Sequence, residues 1–143
     1  MKRFALIGLL PVFVLPAIAA GEPWMNETAM QSAFAGKTIQ GQYASGKSFV
    51  ETYKEGGAIA YAERDVAYQG HWSLQGGTFC TIYDTDPTGG CFQVRQVSDN
   101  CYEFYFVART EQEAAVDGPG PPKWTARASV SDRDPTCAEK PSV

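Results

Sequence analysis

His71 is the only histidine of the chain and the natural candidate for acid–base chemistry near neutral pH. Alternation along Tyr68–Leu74 places His71 with Gln69 and Ser73 on one strand face and Trp72 on the other. A catalytic triad would also need a nucleophile and an orienting carboxylate, and the sequence contains no G-x-S-x-G motif. We therefore predict that His71 faces solvent and that the protein is not an enzyme.

Two other patterns could bind a metal, and both depart from the known rules. Asp84–Gly89 imitates the opening of a calcium loop, but Arg95 stands at position 12, where an EF-hand has Glu, and the flanks read as strands. The four cysteines are separated by ten, nine and thirty-five residues, whereas zinc sites usually contain C-x2-4-C pairs. The sequence predicts a hairpin turn at Asp84–Gly89, no metal site and no cofactor.

Glu51 is the most informative carboxylate, because alternation places it on the same strand face as Phe49 and Tyr53. If these aromatic side chains point inward, Glu51 points inward too, and a buried carboxylate is costly unless it is paired or neutral. The alternative arrangement buries Val50 and exposes Glu51. The rarity of buried unpaired charge favours this alternative slightly.

The inward arrangement leads to a hypothesis about ligand binding. Glu51 would lie in the mouth of a pocket and fix a polar ligand, with Arg64 or Arg95 as its charge partner. The candidate ligand-binding residues are Glu51, Tyr53, Trp72 and Arg95.

Cysteine usage indicates a disulfide framework. Four cysteines in an exported domain suggest two disulfides, for which three pairings exist. We favour Cys80–Cys91, which would bridge neighbouring strands across the Asp84–Gly90 loop. Cys101–Cys137 would then attach the C-terminal tail to the sheet.

The elements that position these residues are short alternating segments separated by turn signals. We predict eight strands: Lys37–Tyr43, Lys47–Tyr53, Ala58–Arg64, Tyr68–Leu74, Thr78–Tyr83, Cys91–Val97, Cys101–Arg109 and Lys123–Val130. Short connections favour an antiparallel up-and-down meander, and eight strands can close into a small barrel of the calycin or lipocalin type. Trp72 and Trp124 would face its interior. The alternative is an open, curled sheet packed on an N-terminal helix.

That helix is predicted from Asn26 to Ala35. Asn26 can cap its start, and Gly36 can end it in a left-handed conformation. Met30 and Phe34 lie four residues apart on one helix face, so the helix is expected to cover one end of the core.

The N-terminus is typical of a secretory signal, with basic residues at Lys2 and Arg3, an apolar stretch Phe4–Pro16 and a small-x-small site at Ala17–Ala19. The apolar stretch is shorter than the roughly 20 residues that cross a bilayer. We predict that residues 1–19 are removed.

Residues 20–143 would then form a single domain, and no later apolar run is long enough to cross a membrane. The formal net charge is −4, and removal of the two basic residues of the signal would lower it by two. This charge opposes binding to nucleic acid, which requires clustered Lys and Arg. We expect a periplasmic or secreted location.

Several short motifs resemble those of a family of small exported proteobacterial proteins whose function is unknown. The matching residues are Gly36-Lys37-Thr38, Glu55-Gly56-Gly57, Gly70-His71-Trp72, Cys80 and Cys91. The family pattern reads G-K-T, D-G, G-x-W and two cysteines, and Glu55 stands where the family tends to have Asp. The resemblance covers roughly Ala33 to Phe106. It implies a periplasmic or secreted location and no established catalytic residues.

These observations favour a non-enzymatic binding protein of the cell envelope whose barrel holds a small ligand. The alternative is an inhibitor of an exported hydrolase, of the protease or lysozyme type, whose Thr110–Pro122 segment enters a partner's cleft. A hydrolase fits least well, because no nucleophile–base or metal arrangement can be assembled. The expected partner is therefore a small ligand or an exported protein.

Overall fold

An antiparallel sheet of eight strands closes on itself in the computed structural model, which describes residues 24–63, 65–84, 89–108 and 124–137. The strands are β1 Lys37–Tyr43, β2 Ser48–Tyr53, β3 Ala58–Glu63, β4 Val66–Gln75, β5 Thr78–Tyr83, β6 Cys91–Ser98, β7 Cys101–Ala108 and β8 Ala126–Val130. Each strand pairs with the next along the chain, and β1 also pairs with β8. The predicted up-and-down barrel is therefore confirmed, and the sheet is closed rather than open and curled.

One helix, α1 (Glu27–Phe34), precedes the barrel in the described part of the chain. The Asn26 side chain accepts a hydrogen bond of 2.8 Å from the backbone N–H of Ala29, which caps the helix start. Gly36 has a φ of 71°, a left-handed conformation that glycine adopts without steric cost, and it leads directly into β1. The predicted capping residues of this helix are confirmed.

The apolar face of α1 fills one end of the barrel, here called the helix end. Met30 and Phe34 are fully buried. The Phe34 ring lies 5.0–6.1 Å from four rings of the barrel wall, measured between centroids: Tyr53, Phe79, Tyr102 and Phe104. Such edge-to-face and tilted contacts stabilise a core beyond the burial of apolar area.

Trp72 lies in this same core, as predicted. Its indole is 7% exposed, packs on Tyr53 and Phe79, and donates a hydrogen bond of 2.8 Å from Nε1 to the Lys54 carbonyl. His71 faces outward and is exposed, 3.8 Å from the similarly exposed Asp84 carboxylate. The alternation predicted for β4 is therefore confirmed.

The outer face of β7 is buried as well, which the alternation did not predict. Glu103 is completely buried there, with its carboxylate 2.8 Å from Arg95 Nη2 and 2.5 Å from Arg127 Nη2. The Tyr105 hydroxyl donates a further hydrogen bond of 2.7 Å to Glu103 Oε2. Burial alone would raise the pKa of Glu103, but hydrogen bonds from Tyr105, Arg127 and Arg95 lower it to about 2.

The prediction that Trp124 faces the interior is wrong. Strand β8 begins at Ala126, two residues later, and the Arg127 guanidinium lies 5.0 Å from the Trp124 ring centroid. The indole thus covers the outer ion cluster instead of the core, because Trp124 precedes the pleated part of the strand.

Both predicted disulfides are confirmed. Cys80–Cys91 joins directly opposite residues of β5 and β6, and Cys101–Cys137 attaches the C-terminal tail to the start of β7. Two disulfides are typical of proteins that fold in an oxidising compartment.

Several predictions fall outside the described residues. These concern the signal segment 1–19, the turn within Asp84–Gly89, of which residues 85–88 are not described, and the segment Thr110–Pro122. Arg64, one proposed partner of Glu51, is likewise not described. These interpretations stay predictions.

We expect Gly70→Ala to destabilise the barrel by about 1–3 kcal/mol, because overpacking a strand forces its neighbour to move. A Cβ at Gly70 would overlap the Ile82 carbonyl oxygen of β5. Gly56→Ala is the matched control, since a Cβ there meets no atom within 4 Å. Urea unfolding of both variants measures the difference. Equal free energies of unfolding would contradict the close approach of β4 and β5.

The two disulfides should contribute unequally to stability. Cys80–Cys91 closes a loop with a sequence separation of 11, and Cys101–Cys137 one of 36. Loop-closure entropy then gives about 2.8 and about 3.8 kcal/mol. We expect the Cys101→Ser/Cys137→Ser variant to lose about 1 kcal/mol more than the Cys80→Ser/Cys91→Ser variant in chemical denaturation. The reverse order would show that contacts around the Cys80–Cys91 bridge outweigh chain entropy.

Candidate functional site

A cavity of about 530 Å³ occupies the barrel between its core and the end opposite α1, here called the distal end. Phe79 and Phe104, whose rings contact Phe34, belong to its lining, so the helix supports its inner part. Ser45 and Lys47 in the β1–β2 turn are exposed and also line it, so the cavity reaches the surface there.

The wall is mainly aromatic, and it contains a single carboxyl group among the described residues, that of Glu51. Glu51 lies directly opposite Ile39 of β1 and Tyr61 of β3 in the ladder. All three side chains are inward and at most 7% exposed, whereas Val50 is 44% exposed. The arrangement that buries Val50 and exposes Glu51, which burial statistics favoured, is therefore wrong. The register that buries Phe49 and Tyr53 takes Glu51 inward with them.

Two phenols, not an arginine, satisfy the buried carboxyl group. The Tyr53 hydroxyl donates to Glu51 Oε2, and the Tyr83 hydroxyl donates to Oε1. No Lys or Arg of the described residues forms a salt bridge with Glu51. Arg95 lies on the outer face of β6, where its guanidinium binds Glu103. The proposed Glu51–Arg95 pair is therefore wrong, because Arg95 faces away from the interior.

Burial determines the electrostatics of this group. It raises the pKa of Glu51 above the ordinary value of 4.5, and the hydrogen bonds from Tyr53 and Tyr83 oppose this rise without cancelling it. Burial and the neighbouring Glu51 raise the pKa of both tyrosines. The two phenols therefore remain protonated and continue to act as donors to the carboxyl group.

Five rings line the same cavity as Glu51, and we call them the aromatic cage: Tyr43, Phe49, Tyr61, Tyr68 and Tyr83. Neighbouring ring centroids lie 4.7–6.4 Å apart. The hydroxyl of Tyr43 donates a hydrogen bond of 3.1 Å to that of Tyr61. The cage thus combines ring faces with hydroxyl groups that can donate or accept hydrogen bonds.

The structure brings two of the four predicted ligand-binding residues into the cavity wall. Glu51 and Tyr53 line it, whereas Trp72 packs in the core beside it and Arg95 lies outside the barrel. Tyr83 was missed. Strand alternation carried a usable signal, since Phe79, Thr81 and Tyr83 share one face of β5 while Cys80 occupies the other.

The fold and cavity define a small closed up-and-down barrel with an internal pocket that reaches its distal end, of the kind that can enclose a small ligand. Comparison of the sequence with protein-family models finds no match, and comparison with curated proteins also finds none. In the part of the chain that the structure describes, no His, Cys, Asp or Glu side chains group in a way that could hold a metal ion. Within the described residues, no helix has the length and apolar character needed to cross a bilayer.

We expect Glu51→Gln to remove a pH-dependent cost to folding. Because the pKa of Glu51 is higher in the folded than in the unfolded chain, the folded state binds more protons between these two values, and its stability falls as the pH rises through them. The advantage of Glu51→Gln over the wild type should therefore grow with pH and then level off. Urea unfolding between acidic and weakly alkaline pH measures it. Glu55→Gln, which changes an exposed carboxylate, is the control. Parallel stability profiles for wild type and Glu51→Gln would contradict the raised pKa.

Proposed function

We propose that this chain is a non-enzymatic binding protein of the cell envelope, periplasmic or secreted, whose barrel holds one small organic molecule. The observation that carries the proposal is the cavity of about 530 Å³, which lies between the core that Phe34 fills and the distal end of the barrel. Cavities of this volume are in the range that small-molecule sites occupy. A wall of aromatic rings with a few convergent polar groups is also typical of such sites.

The arrangement of the wall supports binding rather than catalysis. The carboxyl group of Glu51 already accepts hydrogen bonds from Tyr53 and Tyr83, and burial raises the pKa of both phenols, which disfavours the phenolate form that a nucleophile would need. The histidine of the chain, His71, lies on the outer surface. The cavity therefore offers shape, aromatic surface and one polar anchor.

Export rests on two separate observations. The first 19 residues have the pattern of a secretory signal, and both disulfides are of the kind that form in oxidising compartments. The acidic net charge of −4 supports a partner other than nucleic acid. Inhibition of an exported hydrolase stays an alternative proposal, because its predicted docking segment, Thr110–Pro122, lies outside the described residues.

Binding of the fluorescent probe N-phenylnaphthylamine, which is uncharged at neutral pH, tests the proposal. We expect the purified protein to bind it with enhanced emission. Thr81→Phe should weaken binding at least about tenfold, because Thr81 lines the cavity and the larger ring occupies its volume.

The matched control is Ile82→Phe. It adds a ring on the next residue of the same strand, but Ile82 is 60% exposed on the outer face. We expect this variant to bind the probe as the wild type does, and near-UV circular dichroism confirms that both variants are folded. Absence of binding to the wild type would contradict the proposed function. Equal binding by both variants would show that the probe does not enter the cavity.

A further inference from the structure

We propose that the ligand of this cavity carries a protonated amine, which the Glu51 carboxylate binds inside the aromatic cage; this inference rests on the proposed function. The argument begins with the two buried glutamates of the barrel. Glu103 meets two arginines on the outer face, so its charge is neutralised within the protein. Glu51 is 5% exposed, and its hydrogen-bond partners in the described part of the chain are the neutral phenols of Tyr53 and Tyr83.

The hydrogen bonds of Glu51 leave acceptor capacity for a ligand. An ionised carboxylate has about four lone-pair sites on its two oxygens. Tyr53 occupies one site on Oε2 and Tyr83 one site on Oε1. Glu51 also lines the cavity, so a group entering from the distal end can donate to either oxygen. A cationic donor suits this site best, because it also compensates the desolvated negative charge.

The aromatic cage favours the same class of ligand. A cation within about 6 Å of the face of a Tyr or Phe ring is attracted by the quadrupole of the ring. Tyr61 is the centre of the cage, with centroids of Phe49, Tyr68 and Tyr83 at 6.4, 5.7 and 5.2 Å. Tyr61 lies opposite Glu51 in the ladder, so an ammonium group bound to Glu51 lies beside this cluster of rings, from which a neutral polar group of the same size gains much less.

The remainder of the wall determines the rest of the ligand. Beyond the cage it is mainly apolar, with the hydroxyl groups of Thr81 and Thr125 among these side chains: Ile39, Phe79, Phe92, Phe104, Phe106 and Ala126. Glu51 is the single carboxyl group of the described wall, so a second positive charge would find no carboxylate counterion there. We therefore infer a monoamine with an apolar aromatic or aliphatic body. The acidic net charge of −4 assists the approach of such a cation.

Isothermal titration with two compounds of matched shape, phenylpropylamine and phenylpropanol, tests the inference. We expect the wild type to bind the amine at least about tenfold more tightly than the alcohol, because the charged donor adds a charge-assisted hydrogen bond and cation–π contacts. Glu51→Gln should remove this preference, because the amide keeps the volume of the side chain but not its negative charge.

Glu55→Gln provides the matched control, because it removes one exposed negative charge and leaves the cavity unchanged. It should keep the preference for the amine. If Glu55→Gln lost the preference as fully as Glu51→Gln does, the net charge of the protein would be the cause and the inference would be wrong.

The pH dependence of binding gives an independent readout. The titratable and charged groups that line the described wall with Glu51 are Tyr53 of its own strand, Tyr43, Tyr61, Tyr68 and Tyr83 of other strands, and Lys47 at the rim. No other carboxyl group or histidine lines the described wall. Amine affinity should therefore fall as the pH decreases through the raised pKa of Glu51, and alcohol affinity should not.

The outcomes separate this inference from the proposed function. Equal affinities of the wild type for amine and alcohol, or a preference that survives in Glu51→Gln, would show that Glu51 does not recognise an ammonium group, while the cavity would still be a binding site. Absence of binding by both compounds would also contradict the inference. In that case the N-phenylnaphthylamine titration decides whether the proposed function stands.

Discussion

The pairing of β1 with β8 is the constraint on which the rest of the structure depends. Once the sheet is closed, the inward faces of all eight strands share one interior, and the number of strands sets its width. At the helix end, Phe34 enters this interior and fills it. Towards the distal end the described side chains line the wall without filling the centre. The cavity is thus a consequence of closing eight strands over a helix that fills one end.

The two buried glutamates of the barrel have pKa values shifted in opposite directions. On the outer face, Glu103 is embedded among two arginines and a phenol, an arrangement that holds the carboxylate in its charged form. Inside the barrel, Glu51 occupies a position that an apolar side chain could fill without electrostatic cost. Burial there disfavours the charged form of its carboxyl group. Structural needs alone do not explain this choice. A buried carboxyl group without a cationic partner among the described residues breaks a local rule of stability, and such exceptions are expected at functional or strained sites.

Much of the fold follows from local patterns, and the errors arise where distant residues decide. Strand alternation located the strands within three residues and placed Trp72 inside. It could not decide the direction of Glu51, because one of its partners, Tyr83, is 32 residues away and meets it only across the closed barrel. Arg95 was assigned to the wrong carboxylate for the same reason. Its partner Glu103 lies directly opposite in the β6–β7 register, which composition does not reveal.

The Cys80–Cys91 bridge has a consequence for the position of Tyr83 in the cavity wall. In the described residues, β5 and β6 are in register at two positions, and these cysteines form one of them. Tyr83, which holds the carboxyl group of Glu51, lies on β5 only three residues further along. Oxidation of Cys80 and Cys91 therefore links β6 covalently to β5, the strand that carries Tyr83. In a chain whose thiols are still reduced, β5 and β6 would lack this covalent link, so the position of Tyr83 against Glu51 depends on the oxidation of two cysteines that do not line the cavity.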